Sequence, residues 1–239
     1  MSSPRIDVHD DAAALASAVA RALVSRLAAA QAKGGQPQVV LTGGTIADAI
    51  HHEVPRVAAH ASDVSWSSVD FWWGDERFVP RDSSDRNALS ARAAFLDPVG
   101  ADPSRVHEIG SSDDFPTVAD AAEAYGRDLR THGSGAFEVV MLGVGPDGHV
   151  ASLFPGHRAL DVGDEIAVAV TDSPKPPPER VSLTFPALNR TRATWLVVSG
   201  AEKADAVARA LAGGDVPAAR VGGTEETVWF LDRAAASAL

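Results

Sequence analysis

Seven short apolar runs set the narrowest limit on what this chain can fold into. They fall at residues 39–41, 69–73, 139–142, 166–170, 181–185, 195–198 and 228–231, and most are closed by a glycine-bearing or polar loop that leads into a helix-forming stretch. Continuous rather than alternating apolar runs are what strands buried on both faces require, so the pattern predicts a mostly parallel sheet covered by helices on both sides. Residues 11–32 are alanine-rich with apolar residues at helical spacing and Arg21 and Arg26 between them. They read as an amphipathic helix ended by Gly34 and Gly35, and the run 228–231 as leading into a last helix. Residues 100–116 read as a long surface loop, and the proline-rich stretch 173–180 is too short to separate domains, so a single α/β domain over 1–239 is expected.

Charge narrows the function. Against 32 acidic residues stand 21 Lys and Arg, a formal charge of −11, which argues against nonspecific binding to nucleic acid or to an anionic membrane. An anionic substrate must then be held by local cations, which screening permits because the wider field reaches only about 8 Å at physiological salt. Cysteine is absent, removing disulfides and thiolate chemistry. Asp7, Asp10 and Asp11 precede the first apolar stretch and arginines interrupt it, unlike an export signal, and no other run approaches the ~20 apolar residues of a membrane span. A cytoplasmic protein is expected, and a monomer, since no exposed apolar stripe is evident.

In open parallel sheets ligands sit outside the carboxyl ends of the strands. Four loops there carry the chemistry-bearing residues. Thr42, Gly43, Gly44 and Thr45 offer free N–H groups at a helix start, with Thr45 placed to cap it, which suits phosphate or carboxylate; a plain strand-to-helix turn has the same spacing. Gly74, Asp75, Glu76 and Arg77 bring charges out of the strongly apolar Phe71, Trp72 and Trp73, which costs desolvation unless those charges are paired or used. Gly143, Val144, Gly145, Pro146, Asp147, Gly148 and His149 match a dinucleotide loop only formally, because Pro155 and Gly156 stop any following helix. What the loop presents is a histidine among glycines, able to take a proton near neutral pH. Lys175 and Arg180 lie in the proline-rich loop and Lys203 after the run 195–198; two of the chain's three lysines thus fall in strand-end loops.

Other chemistries find less support. His51 and His52 are adjacent and His149 and His157 lie eight apart without acidic companions at ligand spacing, so no metal site is expected. There is no Gly-x-Ser-x-Gly elbow, and a hydrolysis would use an activated water.

Taken together, Leu41-Thr42-Gly43-Gly44, Trp73-Gly74-Asp75-Glu76-Arg77-Phe78-Val79, Asp85-Arg86-Asn87, Leu142 through His149 continuing to Ser152-Leu153-Phe154-Pro155, and Ser173-Pro174-Lys175-Pro176-Pro177 resemble the 6-phosphogluconolactonase family over nearly the whole chain. The resemblance implies a three-layer α/β/α fold of modified Rossmann topology, shared with glucosamine-6-phosphate deaminases. It also implies hydrolysis of 6-phospho-D-glucono-1,5-lactone to 6-phosphogluconate with neither metal nor organic cofactor. Deaminases usually carry an aromatic residue where this chain has Arg77 and a catalytic glutamate where it has Phe154, so both positions side with the lactonases. The glycine loop, by contrast, continues Thr45-Ile46-Ala47, where many lactonases have a Ser-Thr-Pro ending.

On this reading His149 is the general base, oriented by Asp147 or Asp75, and Arg77 stabilises the oxyanion or positions the lactone. Gly43, Gly44 and Thr45 seat the phosphate with Arg180, Lys203 and, secondarily, Lys175 as counter-charges. The alternatives are a deaminase-like enzyme and a non-catalytic sugar-phosphate sensor. Sensors of this type normally carry a DNA-binding segment, and neither a spare helix-turn-helix region nor a basic patch is evident.

Overall fold

The computed structural model describes residues 3–60 and 63–239. Strands β1 (Arg5–His9), β2 (Gln38–Leu41), β3 (Asp70–Trp73), β5 (Phe137–Gly143), β8 (Thr191–Val198) and β9 (Glu226–Asp232) form one sheet in the order β1-β9-β8-β5-β2-β3. Every neighbouring pair in it is parallel. Every residue of β2 and β3 is buried, as continuous apolar runs between two helical layers demand. Helices lie on both sides, the expected three-layer arrangement.

Helix α1 (Ala12–Ala32) starts where the Asp11 carboxylate accepts from the Ala14 N–H at 2.8 Å, and its end passes into Gly34 at φ 80°. It is long and apolar enough to cross a membrane, but Leu15, Val19, Leu23 and Leu27 are spent in the core, where the helix packs on α2 (Thr45–Ala58) and β9. Helix α4 (Val118–His132) is capped by Thr117, whose hydroxyl accepts from the Asp120 N–H.

Several expectations are corrected. The charged triplet after Trp73 is not loop: Asp75–Arg77 is a strand, β4, of a second sheet in which β7 (Arg180–Leu183) pairs antiparallel with both β4 and β6 (Ala167–Val170). The runs at 166–170 and 181–185 therefore belong to this small sheet rather than to the parallel one; both flank the short proline-rich loop, a connection that reverses the chain and so forces antiparallel pairing. No helix follows β9. Residues 233–238 form turns, held by the Asp232 carboxylate accepting from the Ala235 N–H at 2.7 Å, and with Ala235 the one fully buried residue there is no apolar face to support a helix.

Residues 100–116 do more than cover surface. The His107 N–H donates to the Phe71 carbonyl at 2.9 Å, Val106 bridges Phe71, and the Tyr125 hydroxyl of α4 bonds both the N–H and the carbonyl of Trp73. These groups close the open edge of β3, whose backbone would otherwise be unpaired. Strand β1 was not anticipated, because Asp7 and His9 break up its apolar pattern; as an edge strand it needs only one covered face.

Candidate active site

The loops after β2 and β5 meet at the centre of the sheet, where the chain leaves β2 for α2 but leaves β5 toward β6. Such a divergence opens a crevice at the strands' carboxyl ends. Here it is a cleft of about 590 Å³, lined among others by Gly43, Gly44, Thr45, Asp75, Arg77, His149, Lys175, Arg180 and Lys203. Separate loops and the strands β4 and β7 thus deliver all the sequence-predicted residues but Asp147 to one cavity, and Asp147 stands directly behind His149.

The Nδ1 of His149 lies 2.5 Å from Asp147 Oδ1, and the same oxygen accepts from the His149 backbone N–H at 3.3 Å. With Nδ1–H donating to the carboxylate, Nε2 is the ring's acceptor. Burial pushes the imidazole below its ordinary 6.5, with Lys175 adding to the effect and the Asp147 charge opposing it. A neutral ring with a proton-accepting nitrogen is therefore the state at neutral pH. Burial alone would raise the Asp147 carboxyl, but His149, first through charge and then through its hydrogen bonds, outweighs it and holds it below the usual range. The glycines make this pairing possible: a Cβ on Gly145 would stand 2.1 Å from two atoms of the His149 ring, and Gly148 turns at φ 89° with Val216 against it. Phe154 packs on the ring at a tilt, centroids 4.6 Å apart.

Asp75 does not reach His149 by hydrogen bond. It is buried, and its Oδ2 accepts from the Ser152 hydroxyl at 2.6 Å. Arg77 and Arg180 are direct cross-strand partners on β4 and β7, a like-charge pairing that is unfavourable unless nearby acids or an anion offset it. Arg77 Nη1 donates to the Asp85 carbonyl at 2.5 Å and to Asn87 Oδ1 at 2.9 Å. Arg180 gives its Nε and Nη2 to the carbonyls of Pro177, Lys175 and Pro176, so it shapes the proline-rich loop as well as charging the cleft. Burial, and after it the crowding of Lys203 and Arg180, pushes the Lys175 ammonium down against the opposing pull of Asp147. A bound anion would relieve that crowding.

The family model for glucosamine-6-phosphate isomerases/6-phosphogluconolactonase matches residues 10–229. The chain belongs to this family. A 6-phosphogluconolactonase of Streptomyces coelicolor is 43% identical over 99% of this chain and 95% of its own length, and one of Mycobacterium tuberculosis is 43% identical over 99% of both. The crystal structure of 6-phosphogluconolactonase from Thermotoga maritima superposes with a TM-score of 0.85 at 26% identity, covering 96% of this chain and 99% of that one. The region matched to the glucosamine-6-phosphate isomerase/6-phosphogluconolactonase model includes every predicted site residue named above.

Within this family member, sequence reasoning missed the framework that holds the charges. Asn87 bridges three cleft segments: its Nδ2 donates to the Asp75 carbonyl at 3.0 Å, its Oδ1 receives Arg77, and it abuts Gly43 so closely that a Cβ there would meet Oδ1 at 1.8 Å. The Asp85-Arg86-Asn87 triplet was the available signal. Glu76, grouped with Asp75 and Arg77 in sequence, turns away; its carboxylate accepts from the backbone N–H groups of Arg77, Asn87 and Ala88 and so caps the short helix α3 (Asn87–Ala91). Thr45 does not cap α2. The cap position is Gly44 at φ 99°, with no side-chain cap bond.

The histidine pairs weighed for metal do not assemble a ligand set. His51 is buried in α2 against Phe95 with both ring nitrogens unpartnered, and burial pushes it to about 4. A different trio comes together: His107, Asp128 and His132, one ligand atom of each within 4.8 Å of the others. Residue 107 is too far along the chain from 128 and 132 for spacing to reveal it.

Proposed function

We propose that this chain hydrolyses 6-phospho-D-glucono-1,5-lactone to 6-phospho-D-gluconate, the second step of the oxidative pentose phosphate pathway. The observation that carries the reading is His149, backed by Asp147 and lining a cleft that also holds Arg77, Lys175, Arg180 and Lys203. An electrophilic lactone carbonyl asks for little more than a deprotonated water, a donor for the oxyanion and a grip on the phosphate. His149 Nε2 takes the proton of the attacking water as its oxygen bonds C1, and returns it to the ring oxygen as the C1–O bond breaks. Asp147 fixes the tautomer and steadies the imidazolium. Arg77, held by Asn87 and the Asp85 carbonyl, faces the carbonyl oxygen. The phosphate sits on the N–H groups at the start of α2, with Arg180, Lys203 and Lys175 around it.

Deamination fits less well. The ring of Phe154 against His149 supplies no acid or base at the position where a deaminase would need its glutamate. The test is the rate of opening of freshly generated 6-phosphogluconolactone above its spontaneous background. The purified chain should accelerate it, and a wild-type rate equal to background removes the lactonase reading, leaving binding without turnover as the sensor alternative.

Lys203 makes a clean probe of the phosphate seat, because its Nζ has only a 3.9 Å contact with Glu202 to lose. Lys203→Met should raise KM by about 10- to 100-fold, the loss of one charge-assisted hydrogen bond, with kcat changed much less. An unchanged KM takes Lys203 out of the phosphate site.

A further inference from the structure

At the other end of β3 from the cleft, a second constellation of chemistry-bearing side chains is left unused by the lactonase reading. Asp128 and His132 are one helical turn apart on the last stretch of α4, with His132 Nδ1 2.6 Å from Asp128 Oδ1. From the segment that closes the β3 edge, His107 brings its Nδ1 to 3.1 Å from the other oxygen, Asp128 Oδ2. Two imidazole nitrogens and a carboxylate converge on one point, and the i, i+4 spacing is that of a helical chelate.

The support around His107 goes beyond what an ordinary surface ion pair requires. Its far nitrogen, Nε2, lies 3.6 Å from the Asp70 carboxylate, which is itself held by Arg105 Nη1 at 3.0 Å to each oxygen. A carboxylate behind the distal nitrogen is the arrangement that orients a metal-ligating histidine and fixes its proton on the side away from the ion. The Trp72 ring stacks flat on the imidazole, centroids 3.9 Å apart and planes within 4°, which favours one orientation of the ring plane. Opposite it, His132 is more than half exposed, giving an ion an entry path and open positions for water. The donor set, two nitrogens and an oxygen without thiolate, suits zinc, cobalt or nickel, and not the all-oxygen preference of magnesium or calcium.

We propose that His107, Asp128 and His132 form a binding site for a divalent transition-metal ion. Binding exchanges the two hydrogen bonds to Asp128 for metal bonds: each Nδ1 binds the ion without a proton while each ring keeps one on Nε2, that of His107 toward Asp70, and any further proton is released to solvent. The ion would clamp the end of α4 to the segment that covers β3. Gln38 Nε2, donating to the His132 carbonyl at 3.0 Å, already ties that helix end to the sheet. The site is independent of the lactonase reading and leaves it standing or falling on its own test.

The experiment is calorimetric titration of the chelator-treated full chain with zinc chloride, paired with thermal melts, for wild type, His132→Ala, Asp128→Asn and His149→Ala. The last variant separates this site from zinc capture by the cleft histidine. Expected are one equivalent bound by wild type and by His149→Ala, with that equivalent lost in His132→Ala and Asp128→Asn. Zinc at about a hundredfold above Kd should raise the wild-type Tm by about 5–10 °C, and this shift should vanish in the same two variants. His132 is largely exposed, so its truncation leaves the fold intact and the comparison valid. No zinc binding by wild type, or binding retained in His132→Ala or lost in His149→Ala alone, overturns the proposal.

Discussion

His149→Ala should lower kcat for lactone opening by about 10²- to 10⁴-fold while KM changes little, since the proposed phosphate contacts lie on other segments and general-base assistance is the role proposed for the ring. Steady-state kinetics against the spontaneous background read both parameters, and an equal loss in KM would make His149 a binding group instead. The pH profile adds a signature that a packing role cannot mimic. Burial holds the imidazole below 6.5, so the neutral form predominates at and above neutral pH. kcat/KM should be level there and fall tenfold per unit as pH drops below the depressed value. Asp147 raises the His149 pKa by its charge, so Asp147→Asn should reduce kcat and move the acid limb to still lower pH. An acid limb that stays in place or moves up removes Asp147 as the partner of the base.

How much of this was legible in sequence follows from how local each signal is. The parallel sheet and the cleft were legible because a buried strand followed by a glycine-rich or charged loop writes both its core face and its exit into a few consecutive residues; Phe71-Trp72-Trp73-Gly74-Asp75 is one such sentence. The small antiparallel sheet was not, because β4 is three charged residues whose burial depends on pairing with Arg180–Leu183, about a hundred positions away. Ser152 as the donor to Asp75, 77 positions away, and Asn87 as the strut between Gly43, Asp75 and Arg77 were hidden too, because only the folded geometry brings these side chains together. Local composition named the groups that carry charge. It was silent on the neutral groups that hold them, since an Asn or Ser reads alike in a frame and on a surface. The choice between Asp147 and Asp75 behind His149 was likewise undecidable from spacing. The geometry puts Asp147 in hydrogen-bond contact, and that favours it in the proposed mechanism.

Gly145→Ala tests that geometry without replacing a charged group. The added methyl would stand 2.1 Å from Cε1 and Nδ1 of His149 and 2.6 Å from Asp147 Oδ1, well inside van der Waals contact, and the ring and carboxylate must separate to admit it. Phe154 also packs on the imidazole, 4.6 Å between ring centroids, which limits the room for the ring to move and keep Nε2 in place. kcat should therefore fall by about 10²-fold or more, approaching the loss in His149→Ala, because a base displaced by about 1 Å forfeits most of its advantage. The decisive arm is the double variant. With the ring removed by His149→Ala the new methyl has room, and Asp147, partly exposed, turns outward, so adding Gly145→Ala should cost almost nothing further. Such non-additivity is expected when one substitution acts only through the other's side chain. Losses that simply multiply would show that Gly145 serves the backbone of the loop instead, and that the close approach of Asp147 to His149 is not what the glycine is there to permit.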